Sequence, residues 1–164
     1  MTSLDVLILM GSDSDLPVMQ GAADLLHEFG VACEITIASA HRSPARVEQL
    51  IDDAHARGVR VFIAGAGAAA HLAGVVAART TRPVIGVPID SSALGGLDAL
   101  LSMVQMPPGV PVATVSLGKS GATNAAVLAA QILGLSDARI AGRLEDYKRR
   151  LAEKVEQAAA RLST

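Results

Sequence analysis

Apolar residues in this chain come in short runs, and each run is followed by a stretch of helical spacing. Val6-Leu7-Ile8-Leu9-Met10 is unbroken, the pattern of a parallel strand covered on both faces. The polar turn Gly11-Ser12-Asp13-Ser14-Asp15 follows. Pro17 then opens a helix whose apolar stripe is Val18, Ala22, Leu25, Leu26 and Phe29, with Gly30 as its stop. Cys33, Ile35 and Ile37 alternate with Glu34 and Thr36, so the second strand has one more polar face. Ser43 reads as the N-cap of a second helix and Pro44 as its first residue. Val47, Leu50, Ile51 and Ala54 point inward, and Gly58 ends it.

The plan repeats along the chain. Residues 59–64 predict a third strand, with a helix running through 78 after it. Residues 84–87 predict a fourth strand and 97–104 a helix. Residues 111–115 predict a fifth strand and 122–133 a fifth helix. This alternation implies a mostly parallel five-stranded sheet with helices on both faces, one α/β domain over residues 1–164. Its core covers 1–135. Residues 136–164 add a long amphipathic helix with Leu144, Leu151, Val155 and Leu162 near one stripe. Glu145, Lys148, Arg149 and Glu153 fall mostly elsewhere. Such a helix either packs on its own domain or serves self-association.

Composition narrows the class of partner. The 164 residues suit one domain with a real core. Hydrophobic residues are 51% and charged residues 18%, so part of the surface is expected to be covered by copies of the chain. No apolar run reaches the roughly 18–20 residues of a membrane span. The start MTSLDVLILMGSD has no basic n-region and no cleavage pattern, so no signal peptide is expected. Cys33 stands alone and cannot close an internal disulfide, which fits a reducing cytoplasm. It reads as a small buried hydrophobe. A net charge of −2 lacks the basic field that nucleic acid requires, and with no Trp, one Tyr and two Phe there is no stacking platform.

In an open parallel sheet, ligands bind beyond the C-terminal strand ends. Four loops should therefore share one rim: 11–15, 39–43, 65–71 and 90–98. They hold much of the Ser, Asp, His, Arg and Gly of an apolar chain. Ser12 and Ser14 at a helix start suit a phosphate, and Asp15 suits ribose hydroxyls, although Ser14 or Asp15 could equally cap the helix. Arg42 is a planar fork for phosphate or carboxylate, and His41 exchanges protons near neutral pH. His27 and His55 fall inside helices and read as solvated. Gly65-x-Gly67-x-x-Ala70, with Asp90 after the next strand, fits a relaxed dinucleotide fingerprint. Alternatively, those small residues let a compact ligand approach the backbone, with His71 at the helix start. Gly118-Lys119-Ser120 resembles the end of a P-loop, but Ala113 stands where that pattern needs Gly. No spacing suits a metal site.

The stretches GSDSD at 11–15, SAHRSP at 39–44, AGAGAAAHL at 64–72 and the run over 96–133 resemble the N5-carboxyaminoimidazole ribonucleotide mutases of purine biosynthesis. The resemblance covers about residues 5–135 in order. It implies a flavodoxin-like three-layer α/β/α fold and a homo-octamer with sites where subunits meet. It implies transfer of a carboxylate from the exocyclic nitrogen of an aminoimidazole ribonucleotide to ring carbon C4, without metal, ATP or organic cofactor. An ATP-dependent carboxyaminoimidazole ribonucleotide synthetase is then the expected functional partner. His41 would shuttle the proton. Ser12, Ser14 and Arg42 would hold phosphate or carboxylate, and Asp15 the ribose. Ser39 and Gly67 would line the base and CO2 pocket, and His71 would orient the carboxylate. Gln105-Met106-Pro107 would reach a neighbouring subunit's site. Related enzymes that carboxylate aminoimidazole ribonucleotide directly resemble a pattern with Lys after the histidine and a different third loop, whereas this chain has Arg42 and AAAHL. The family usually has Gly at the place of Ala68 and Pro at the place of Ala73.

Overall fold

The computed structural model describes residues 4–162. Residues 1–3 and 163–164, the ends of the expected domain, lie outside that range. The elements in chain order are β1 (Val6–Met10), α1 (Leu16–Glu28), β2 (Cys33–Ile37), α2 (Pro44–Ala56), β3 (Val61–Gly67), α3 (Leu72–Ala77), β4 (Val84–Ile89), α4 (Leu97–Val104), β5 (Ala113–Thr114), α5 (Gly118–Gly134) and α6 (Ala138–Leu162). A short 3-10 turn, Asp13–Asp15, leads into α1. The sheet order is β2-β1-β3-β4-β5, and every pairing is parallel. Among the described residues no helix is long and apolar enough to cross a membrane.

Strand alternation splits the core in two. Val6, Ile8 and Met10 face α1 and α5, while Leu7 and Leu9 face the side covered by α2, α3 and α4. The two buried faces explain why β1 is apolar at every position. β2 lies at the sheet edge, and its residues are only half-buried or exposed. Cys33 is therefore half-buried rather than buried. Burial first, then the Asp24 carboxylate, push its thiol up to about 11, so it stays protonated and unreactive near neutral pH. His27 is exposed as expected but touches the Cys33 sulfur, while His55 bonds to Thr80 through Nε2 at 2.8 Å.

Several boundaries differ from the sequence pattern for local reasons. β3 starts at 61 because the Val59 N–H closes the end of α2 on the Ala54 carbonyl. It runs on to Gly67 because that residue still pairs with Ile89 of β4. β5 shrinks to two residues, and Pro111 before it has no N–H to give a ladder. α5 starts at Gly118, so Gly118-Lys119-Ser120 forms its first turn. The small and polar residues there hide the helical period. Ser43 stands before α2, but its hydroxyl donates to the Ser39 carbonyl at 3.3 Å and does not cap the helix.

Of the two roles its pattern allowed, the last helix shows packing on its own domain. Its first half packs on the domain: Ile140 is buried, and Tyr147 meets Phe29 edge-on at 5.3 Å, a contact worth about 0.5–1.5 kcal/mol beyond its area. The Arg143 guanidinium donates to the Glu28 carbonyl at 3.0 Å, and Arg150 pairs with the Glu28 carboxylate. Its second half leaves Leu151, Val155 and Leu162 exposed.

The connection from β3 to α3 is strained. Ala68 and Ala70 have φ of 51° and 45°, the left-handed region that costs an L-residue with a Cβ about 1–2 kcal/mol. Ser102 of α4 donates to the Ala69 carbonyl and holds the turn from outside. Ala68 is exposed, so its methyl contributes little packing. Ala68→Gly is expected to raise stability by up to about 1 kcal/mol. Urea unfolding measures this, and an unchanged or lowered midpoint would refute strain at that residue.

Candidate active site

The chain order of the strands creates one reversal. From β1 it steps to β2 on one side, then returns past β1 to β3 on the other. The crevice beyond the C-terminal ends of β1 and β3 is the switch point of such a sheet. Met10 pairs with Ile37 on one side and Gly65 on the other, so the three loops leave the sheet at nearly one level. A cleft of ≈ 200 Å³ lies there. Ser12, Ser14, Asp15, Ser39, His41, Arg42, Gly67 and His71 all line it.

The first loop is a closed turn rather than an open anion cradle. The Ser12 hydroxyl accepts the Ser14 N–H at 3.4 Å and donates to Asp13 at 3.0 Å, while the Ser12 N–H donates to Asp15 Oδ2 at 3.1 Å. Ser12 and Asp15 thus form a reciprocal cap, and Ser14 is not the capping residue. The Asp15 side chain is buried at 5% exposure. Desolvation raises its pKa above the ordinary value, and the Asp13 charge adds to this, against the lowering by the Ser12 and Gly11 N–H groups. An ionised, desolvated carboxylate in a cleft wall favours added donors, and sugar hydroxyls are such donors.

The second loop fixes a cation against that turn. The Arg42 N–H and Nε both donate to the Ser39 hydroxyl, at 3.1 and 3.4 Å, and Nη2 donates to the Gly11 carbonyl at 3.2 Å. Two of the five guanidinium N–H groups are used in this way, and the side chain is exposed at the rim. Arg46 follows on the same side, anchored to the Ile37 carbonyl at 2.9 Å and Thr36 Oγ1 at 3.2 Å.

The third loop brings its histidine to the second. His41 Nε2 lies 2.7 Å from His71 Nδ1, with the rings edge to face at 4.8 Å between centroids. One nitrogen donates and the other accepts, so the two rings share a single proton between them. That makes the pair a route for a proton that either ring takes up.

Two features of the dinucleotide reading fail in three dimensions. Gly65 lies within β3, and a Cβ there would meet the side chain of Met19. Asp90 does not line the cleft and stands beside Gly96 and Gly118 instead. One cleft residue that the residue pattern did not single out is Ser91. Its signal was its place just beyond the fourth strand, on a loop already expected at the rim.

Comparisons with known proteins agree with this geometry. Residues 5–154 match the family described as AIR carboxylase. The chain is 56% identical to the N5-carboxyaminoimidazole ribonucleotide mutase of Thermotoga maritima, over 94% of this chain and 90% of that one. It is 52% identical to the phosphoribosylaminoimidazole carboxylase of Saccharomyces cerevisiae, over 96% of this chain but 27% of that one. The solved structure of Treponema denticola PurE superposes with a TM-score of 0.88 at 32% identity, covering 97% of this chain and 98% of that one. With the family model matched over residues 5–154 and relatives above 50% identical over nearly its whole length, the chain belongs to the AIR carboxylase family.

Proposed function

We propose that this chain is a purine-biosynthesis mutase that moves the carboxylate of N5-carboxyaminoimidazole ribonucleotide from the exocyclic nitrogen to ring carbon C4. The observation that carries this reading is the 2.7 Å contact of His41 with His71 in the switch-point cleft. The identity to a mutase supports it over 94% of the chain. When the C–N bond breaks, its electron pair stays on nitrogen and CO2 departs. Nitrogen then takes a proton from His41. C4 attacks the CO2 to form the new C–C bond, and the proton displaced from C4 returns to His41. No proton is gained or lost overall, so one histidine serves both halves.

The other residues bind and orient. Ser14 and Arg42 face the phosphate, with Ser12 shaping the turn that presents them. Asp15 accepts from the ribose. Ser39 holds Arg42 in place, and Gly67 with its alanine neighbours walls the base and CO2 pocket, where excluding water protects the intermediate. His71 fixes the His41 ring and turns to the substrate carboxylate. The N-carboxylated substrate is a labile carbamate, which favours supply by an ATP-dependent synthetase in the same cytoplasm.

The same reading includes a homo-octamer. Leu97, Leu101 and Val104 on the outer side of α4, with Leu94 in the turn before it, are exposed, as are Leu151 and Val155 of α6. Apolar stripes of this extent suit contacts between copies. Gln105-Met106-Pro107 directly follow the α4 stripe and would reach a neighbour's cleft from there.

Three measurements test the reading. Purified protein without ATP or metal is expected to convert N5-carboxyaminoimidazole ribonucleotide faster than it carboxylates aminoimidazole ribonucleotide with bicarbonate. Turnover of the latter pair alone would make it a direct carboxylase. His41→Asn is expected to lower kcat by about 10²–10⁴-fold with nucleotide binding still measurable by calorimetry, and near-normal kcat removes His41 from the shuttle. Light scattering is expected to give the mass of an octamer, and a monodisperse monomer contradicts shared sites.

A further inference from the structure

β4 ends at Ile89, and the two residues after it go separate ways. Asp90 lies against Gly96 and Gly118, away from the cleft. Ser91 lines the cleft beside Gly67, Ala68 and His71. The serine and the glycine are fitted to each other. A Cβ on Gly67 would collide with Ser91 Oγ, and would stand 3.0 Å from Ser91 Cβ and 3.2 Å from the Ile89 carbonyl oxygen. The missing side chain at 67 therefore leaves room for a hydroxyl in the cleft wall.

That hydroxyl is uncommitted. The next serine, Ser92, donates to Asp98 at 2.9 Å and accepts the Leu94 N–H at 3.1 Å. Ser12 donates its hydroxyl to Asp13, and the Ser39 hydroxyl accepts from the Arg42 N–H and Nε. Among the described residues no protein group bonds to Ser91 Oγ. An unpaired hydroxyl among alanines and glycine is a donor waiting for an oxygen. Ser14, whose hydroxyl is also free, lines the same cleft from the turn after β1. Ser91 belongs instead to the small-residue wall of Gly67 and Ala68 beside His71, which suits the smaller anionic group.

We infer that Ser91 contacts the substrate, its hydroxyl donating to the carboxylate that is moved and holding it against Gly67 within reach of His41. The inference rests on the mutase reading. It concerns only the group that discriminates carboxylated from decarboxylated nucleotide.

Ser91→Ala tests it by calorimetry with two ligands, the C4-carboxylated product and aminoimidazole ribonucleotide. Affinity for the carboxylated nucleotide is expected to fall about tenfold or more, the loss of one hydrogen bond to a charged group. Affinity for the decarboxylated nucleotide should stay as in the wild type. Unchanged affinity for the carboxylated nucleotide, or an equal loss for both, overturns the inference while leaving wild-type mutase turnover intact. Wild-type protein that binds neither nucleotide removes the mutase reading and this contact together. Gly67→Ala provides a second route, because its new Cβ displaces the Ser91 hydroxyl. It should reproduce the selective loss, and full affinity in that variant overturns the placement of Ser91.

Discussion

Parallel pairing of β1 with β2 on one side and β3 on the other is the constraint from which the rest follows. Met10 stands opposite both Ile37 and Gly65, so the loops that follow these strands open at one level. His41 and His71 lie thirty residues apart, yet their ring nitrogens come to 2.7 Å. Neither loop could present its histidine to the other if β2 and β3 were not both neighbours of β1. The reversal of strand order there also leaves a crevice that no crossover helix covers. The cleft is thus a consequence of topology, and the side chains that line it are additions to a gap the sheet already makes.

Small residues give that gap its shape. Gly65 makes room for Met19 on the α1 side, and Gly67 makes room for Ser91 at the cleft. Ala122, Ala125, Ala126, Ala129 and Ala130 are buried along α5 and let it lie close to the sheet and α1. The left-handed alanines at 68 and 70 sit on the turn from β3 that leads into His71, where a rigid framework can hold them. Ser102 on α4 bonds to the carbonyl between them. The helix with the exposed outer stripe of Leu97, Leu101 and Val104 therefore also touches the loop in front of His71.

Much of this was legible from residue pattern. The limits of β1 and α4 follow directly from runs of apolar residues and helical spacing, because large side chains signal the period of the element that buries them. The reading failed where residues are small. Gly118 to Gly121 gave no helical period, and Ala66 with Gly67 looked like loop although both pair with β4. Capping was also assigned to the wrong groups. Ser43 has a cap's identity and position but bonds to Ser39 instead; Asp15 stands at the N-cap of α1 without a side-chain cap bond, and Ser12 caps the 3-10 turn before it.

By itself the sequence determined the alternation of strands and helices, and with it the rim on which Ser12, Asp15, Ser39, His41, Arg42 and His71 stand. Each of those facts depends on neighbours within a few positions, which periodicity can report. Tertiary structure alone decided that His41 meets His71, that Ser91 fills the space before Gly67, and that α6 buries Ile140 while Leu151, Val155 and Leu162 stay exposed. These depend on strand order and on distances between segments far apart in the chain, and no local spacing carries that information.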